Sequence, residues 1–465
     1  MVRYTKGLFL FHRDLRVHDN VGLREAAAIC DQLYTCFIFT PDQVGTANPY
    51  RSQTSIQFMI ESLDELAAEI RTLGGNLGVF YGHQTQVLDD LITKHSIDYI
   101  ACNKDYTPYA LERDGATRDL CTKHHIPLAT FADYYLFEPG TVLTGQKEAY
   151  KKYTPFYRAV LSRHVDAPRP FRGRLATFRP KSEFAMNMAD ARAKFVRSNE
   201  TVAMLVHGGR TLGTRRLAAA VREQAEYDKT RDYFARTTTH LSAYIKFGCV
   251  SIREVYHAFH KKYGPNHGLI RELIWREFFA HVLYAYPDVL GQSYQRNMRS
   301  IRWRTNANHL ECWKEGRTGF PLVDACMRQL NATGYMHNRG RMLVASFLCK
   351  ILLLDWRRGE QYFAQRLTDY DVASNNGNWQ GISGTGVDRK PYFRDMNPWI
   401  QSAKFDPTTE FIKHWVPELK DVPPRDIHRW YETAATYRGK VDYPPPIVDY
   451  AEQKRRMLAM YSAAA

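Results

Sequence analysis

GLFLFHRDLRVHDN, residues 7–20, holds four consecutive apolar residues, Leu8 to Phe11, and then turns abruptly to charge. A run this short cannot span a bilayer, and one this apolar does not belong in a surface loop; it reads as a strand buried on both faces. The pattern repeats. YTCFIF at 34–39, LGVFY at 77–81, IDYIAC at 97–102 and LATFAD at 128–133 each carry few charges and several β-branched or aromatic residues. Between these runs, Ile56, Met59, Ile60, Leu63, Leu66, Ile70 and Leu73 recur at helical spacing before a Gly74–Gly75 stop, and Val87, Leu88, Leu91 and Ile92 mark a second helix. Strand and helix in alternation imply parallel strands with right-handed crossovers, so residues 1–135 are expected to form an α/β domain with a doubly wound parallel sheet. No GxGxxG follows the first strand, and GTGVDR at 384–389 reads as a plain loop, so the usual dinucleotide fingerprint is missing.

Residues 136–200 hold Pro, Gly and basic residues without sustained periodicity and read as a linker, whereas 201–465 carry only helical patterns such as GLIRELIWREFFAHVLYAYP and read as an all-α domain. With 64 Lys and Arg against 49 acids, the formal charge is +15 and a polyanionic partner such as nucleic acid is favoured. The eight cysteines form no CxxC pair and no metal spacing, which predicts buried thiols in a reducing compartment and no metal site. No segment approaches membrane-spanning length, so a soluble protein, cytoplasmic or nuclear by host, is expected.

The helical half contains a polar constellation. In RELIWREFF, Glu272, Trp275, Arg276 and Phe279 share a helix face, with Ile270, Ile274 and Phe278 opposite. In MHNRGRM, Asn338, Arg339 and Met342 share a face from which Arg341 is turned away. DYDVASNNGNWQG at 369–381 adds Asp369, Asp371, Asn375 and Asn376. Polar groups within an apolar pattern need partners, since a buried unpaired one costs about 1 to 3 kcal/mol. Ordinary ion pairs such as Arg341 with Asp369 would suffice, and so would a large polar ligand. The two acids can cap a helix or accept from ring N–H groups, and the asparagines offer donor and acceptor together, which suits the edge of a heteroaromatic ring.

Together with LFLFHRDLRVHDN, TTTHLSAYIKFG, TGFPLVDACMRQLNATGYMHNRGRM, DWRRGEQYF and PYFRDMNPWIQSAKFDP, these segments resemble the photolyase and cryptochrome family almost end to end. The resemblance implies an α/β antenna domain, a linker and a helical domain holding FAD in a bent conformation, which would explain the absent glycine fingerprint. By motif position, Tyr227, Thr238, Thr239, Leu241 and Ser242 match the segment around the FAD phosphates and ribityl chain. Without the resemblance, TTTHLS is an N-cap cluster. Arg341 and Asp369 match the pair beside the isoalloxazine, Asp371 an acceptor for the ring N–H, and Asn375 the residue facing N5. Trp379, Trp356 and Trp303 match the family's electron-transfer tryptophans, which by themselves would be core residues.

The implied activity is light-driven repair of cyclobutane pyrimidine dimers in DNA, by electron transfer from excited reduced FAD to a flipped-out dimer. Glu272, Trp275, Asn338 and Met342 match dimer-contacting positions, Arg339 and Arg394 phosphate contacts, and Lys151 and Lys152 add charge. The enzyme would be a carbon–carbon lyase working as a monomer. A cryptochrome photoreceptor is the alternative, although the chain ends at YSAAA without the long extension common there, and a flavin-free helical DNA-binding protein is a third reading. One position departs from the pattern: Gly381 stands where bacterial enzymes carry a second tryptophan, with Tyr335 and Trp399 as candidate replacements. Tyr109 and Ala110 replace the asparagine and acid of folate-binding members, so a second antenna chromophore, if present, is expected to be a deazaflavin or a flavin.

Overall fold

The computed structural model describes residues 3–196, 202–388 and 394–464; Arg389 and the PYF of 391–393 lie outside the described residues. Five strands, β1 Tyr4–Phe11, β2 Cys30–Phe39, β3 Leu77–Tyr81, β4 Tyr99–Asn103 and β5 Leu128–Phe131, form one sheet in the order β3-β2-β1-β4-β5. Every pairing is parallel, with Phe9 opposite Thr35 on one side and Ala101 on the other. The apolar runs locate all five strands. Only their ends differ, because β1 and β2 extend N-terminally through polar residues that keep the ladder while facing solvent. The Gln53–Thr72 helix starts at Ser52, whose side chain accepts from Ser55 N, and buries Ile56, Ile60, Leu63, Leu66 and Ile70 against the sheet. It stops where Gly74 takes a φ of +86°, open to glycine at no steric cost.

From Tyr153 onward every named element among the described residues is helical. The connection differs from its expected irregular form in containing two short helices, Tyr153–Leu161 and Met188–Phe195. The first buries Tyr153, Phe156 and Val160, an i, i+3, i+7 stripe too brief to stand out as periodicity, and lays Tyr153 flat on Trp275.

A buried charge network fastens the sheet domain to the helices. Arg16 and Arg253 both bond Asp133, and Arg253 also takes Asp19. Arg253 belongs to the Ile252–Tyr263 helix, while Asp133 follows β5. At the end of β1, where a nucleotide fold would place its glycines, the side chains of Arg13 and Asp14 fill the space: Asp14 bonds Asn103 and Asn20, and Arg13 reaches Asp105, Tyr135 and Asp371. The turn therefore lacks the glycine-lined phosphate loop of the usual dinucleotide fold.

Candidate active site

Three helices converge on one cavity: Asn338–Ser346, Trp356–Arg366 and Val372–Ser383. Each begins at a residue whose side chain accepts from the first turn, His337, Asp355 and Asp371, so the caps fix where the polar residues that follow point. The cavity encloses about 930 Å³. Ten of the expected residues line it: Thr238, Thr239, Ser242, Asn338, Arg341, Met342, Asp369, Asp371, Asn375 and Trp379.

One wall is the turn at 238–241. Arg216 holds it from behind, Nε on the Thr239 carbonyl at 2.7 Å and Nη2 on the Thr238 carbonyl at 2.7 Å. His240 has a φ of +51° and Leu241 an ordinary helical conformation. The amide N–H groups of Thr238, Thr239 and His240 find no acceptor among the described residues. Unpaired amides in consecutive residues ahead of a helix make an anion cradle. Leu241 supplies backbone here and buries its side chain, and Tyr227 is buried beside Arg231, outside the lining.

Opposite lies the carboxylate pair. Arg341 donates Nη2 to Asp369 Oδ2 at 2.8 Å and Nε to the Met336 carbonyl at 2.9 Å. Asp369 Oδ1 is buried and has no partner. Asp371 differs. Its Oδ1 accepts from Ser374 N at 2.9 Å and its Oδ2 from Arg13 at 2.9 Å. Burial pushes the Asp371 carboxyl up, but Arg13 and Arg276 outweigh it and hold the group below the usual carboxylate range. Asp371 still lines the cavity, and each of its oxygens, holding one hydrogen bond, keeps a further lone pair for a ligand N–H.

Asn375 is 9% exposed, lines the cavity and donates Nδ2 to the main-chain carbonyl of Glu360 at 3.0 Å, which holds its amide in place. The Glu360 carboxyl is pushed up to about 7 by burial, with hydrogen bonds from Asn375 and Tyr50 pulling the other way. Trp379 closes the cavity, edge-on to Phe363 at 5.0 Å. Trp356 is fully buried and Trp303 half-buried beside Tyr461. Gly359, one turn past Trp356, sits where a Cβ would fall 2.1 Å from the Trp379 ring, so this glycine lets the helix of one tryptophan close on the other.

The mouth is less uniform. Asn338 is exposed and Met342 half-buried, and a side groove of about 510 Å³ runs from Met342 and Ile382 to the exposed Arg394. Arg339 does not present a free charge, since it pairs with Asp232 and stacks over Phe405. Glu272 pairs with Arg231 at 2.5 Å, and the half-buried Trp275 lies face to face with Tyr153 at 3.6 Å and stacks with Phe279 at 5.5 Å. The 272–279 face is also split: Arg276 turns to the Tyr134 carbonyl, and Phe279 is buried against Gly377. At Gly381 an added Cβ would meet nothing within 4 Å, so the wall that a tryptophan would form is open. Tyr335 is occupied with Thr238 and His240, and Trp399 with Phe320. Arg216, Glu360 and Asp232 were not legible as site residues, because each acts across a long sequence separation on a different element.

A second cavity, about 1120 Å³, opens at the C-terminal ends of β1 and β2 and is walled by His12, Thr40, Gln43, Lys246, Tyr370 and Asp371. Burial lowers the Lys246 ammonium to about 7, with Arg13 adding to the effect. Tyr109 bonds Thr40 at this rim and Ala110 is buried. No group of His, Cys, Asp and Glu able to hold a metal occurs among the described residues, and no described helix is long and apolar enough to cross a membrane.

A turn of unpaired amides lining one cavity with two carboxylates, an amide and an indole fits a phosphorylated heteroaromatic cofactor, and the α/β-plus-helical architecture is that of flavin-bearing light-driven enzymes. Residues 7–172 match the family described as DNA photolyase and residues 269–463 the FAD binding domain of DNA photolyase. The deoxyribodipyrimidine photo-lyase of Halobacterium salinarum is 35% identical over 98% of this chain and 99% of its own. The solved archaeal photolyase from Sulfolobus tokodaii with two FAD molecules is 40% identical, covers 99% of this chain and all of its own, and superposes with a TM-score of 0.88. A cryptochrome from Synechocystis sp. PCC6803 is less similar in sequence, at 28% identity over 99% of this chain and all of its own, with a TM-score of 0.89. The chain belongs to the DNA photolyase family. It is a photo-lyase that binds FAD in its helical half and acts on DNA.

Proposed function

We propose that the protein splits cyclobutane pyrimidine dimers, and that the roles divide as follows. The 238–240 amides and Ser242 hold the FAD phosphates, Asp371 accepts the ring N–H, and Asn375 faces N5. Bound and reduced, FAD supplies a light-excitable electron donor. Arg341 holds Asp369 in place. Trp379, Trp356 and Trp303 lead from the cavity wall through the core to a half-buried position, a route along which an electron can return to the cofactor from solution. Asn338 and Met342 at the mouth, with Glu272 and Trp275, receive the lesion, and Arg394 meets a phosphate. Arg339, already paired with Asp232, steers rather than binds unless that pair opens. Boundaries at 135 and 200 separate antenna domain, linker and catalytic domain, and the enzyme works as a monomer in a reducing compartment, which the eight buried free cysteines favour. The second cavity accepts an additional chromophore, a reading supported by the two FAD molecules of the S. tokodaii photolyase.

The observation that carries the reading is one cavity lined together by the unpaired amides of the 238–240 turn, Asp371 and Asn375. A light-dependent repair assay on dimer-containing DNA tests it. Repair that requires light and FAD is expected; a yellow protein that shows photochemistry but no repair under light would assign a photoreceptor role instead.

A further inference from the structure

We propose that the linker segment 169–181 is a second DNA-binding surface, distinct from the lesion cavity, that holds the backbone of undamaged duplex; the inference rests on the protein being a DNA enzyme. The segment reads RPFRGRLATFRPK and contains no acid. Arg169, Arg172, Arg174, Arg179 and Lys181 are all exposed, and their side chains make no ion pair or hydrogen bond among the described residues. This is unlike the other basic groups near the site, where Arg231, Arg339 and Arg341 each face an acid.

The backbone beneath these charges is fixed. Leu175 N bonds the Leu73 carbonyl and Ala176 N the Leu33 carbonyl, and Phe178 exchanges hydrogen bonds with the Asn76 side chain in both directions. Leu175 and Phe178 are buried, and Phe178 stacks on Tyr34. Pro168, Pro170 and Pro180 stiffen the ends. Held in this way, the chain points Arg172 and Arg174 to the same side, as residues two apart in an extended segment do. Fully extended, the span from Arg169 to Lys181 is at most ~40 Å, about one turn of B-DNA. A row of fixed unpaired cations of that length matches a polyphosphate backbone and needs little ordering on binding, whereas a solvated surface commonly mixes both signs.

Position excludes a continuation of the lesion site. Leu33 and Asn76 lie toward the N-terminal ends of β2 and β3, whereas the cavity shared with the helical half lies at the C-terminal ends, at Thr40 and His12. Arg169, whose backbone pairs with Asp19 beside Arg253, stands at the seam with the helical domain. From Arg172 onward the row lies away from that cavity, and a duplex on Arg172 to Lys181 is a different segment from the one whose lesion is in the catalytic cavity. Held to one segment by the row, the enzyme can examine another.

The test uses the FAD-loaded enzyme and its R172E/R174E/R179E variant, with binding of a long undamaged duplex followed over a range of salt. Loss of three phosphate contacts should lower the slope of log affinity against log salt by about two to three units. Energy transfer between two differently labelled duplexes, seen with the parent, should vanish, while light-driven repair of a short dimer-containing oligonucleotide stays at the parent level. Glutamine in place of glutamate keeps the test open if charge reversal impairs folding, with a smaller change of the same sign. An unchanged salt slope with bridging intact overturns the inference. So does loss of binding to anionic vesicles with DNA binding unchanged, which assigns the row to a lipid surface. A parent that binds no dimer-containing DNA removes the functional reading as well, whereas a parent that binds it and shares its slope with the variant removes this inference alone.

Discussion

Asn375 and Glu360 show how a single side chain sets the chemistry around it. The amide is clamped at Nδ2 by the Glu360 carbonyl, so its oxygen cannot exchange places with its nitrogen, and unlike an acid it has no proton to deliver to a ring nitrogen. Asn375→Asp should therefore change which flavin redox state accumulates in light and lower repair; absorption spectra during illumination that match the parent, with full repair, would remove Asn375 from N5. The neighbouring carboxyl offers a separate handle. Glu360 is buried and pushed up to about 7, so the folded state keeps its proton at pH values where the unfolded chain has lost it. For a raised acid the stability is present below the ordinary carboxyl range and falls as pH rises, until it levels off above about 7. Glu360→Gln, which cannot ionise, should escape that loss and gain about 2 kcal/mol on the parent between mildly acid and mildly alkaline buffer. Parallel melting curves at each pH for the two proteins would contradict it.

At the scale of elements, the Trp356–Arg366 and Val372–Ser383 helices work as a pair because Gly359 admits the Trp379 ring. Gly359→Ala forces a methyl into that ring and should cost about 1 to 3 kcal/mol by overpacking. Trp379→Phe should leave stability nearly intact but slow photoreduction of oxidised FAD sharply, while enzyme reduced chemically beforehand still repairs; photoreduction at the parent rate would point to another donor. These elements were largely readable in the sequence. Buried strands announce themselves as short apolar runs, and helices as 3.6-residue spacing, because both patterns follow from which face meets the core. What escaped was set by contacts between elements: the Arg216 clamp on the Thr238 and Thr239 carbonyls, the Asp232 partner that occupies Arg339, and the Arg13 partner of Asp371. Residue type and order place both acids at the cavity, but only the fold shows that Arg13, 358 positions earlier, has taken one of them.

Across the whole molecule, Arg13 ties the two halves through that acid. Its guanidinium leaves the end of β1 and bonds Asp105 in the sheet domain and Asp371 in the helical domain, both at 2.9 Å, with all three side chains under one-sixth exposed. Asp371 caps the helix that carries Asn375 and Trp379 and lines both large cavities, so the sheet domain has a direct hold on the flavin rim. Arg13→Met keeps the bulk and removes the charge, leaving two buried carboxylates short of their shared partner, and should cost about 3 to 5 kcal/mol at neutral pH. The sign of its pH dependence follows from the Asp371 carboxyl. In the parent that group is held below the usual range, so its contribution is present above the ordinary carboxyl pKa and disappears as pH falls through the folded value. In the variant the largest opposing charge is gone and burial is opposed by Arg276 and the Ser374 hydrogen bonds alone, so the carboxyl rises and stability is lost in the other direction, as pH climbs toward neutral. The gap between parent and variant should therefore be widest at neutral pH and close toward acid, and FAD should dissociate faster from the variant at neutral pH. Thermal melts and flavin fluorescence release measured together decide the matter. A variant that melts with the parent at neutral pH and keeps its flavin as long would show that the network around Arg16 and Arg253 holds the two halves together without Arg13.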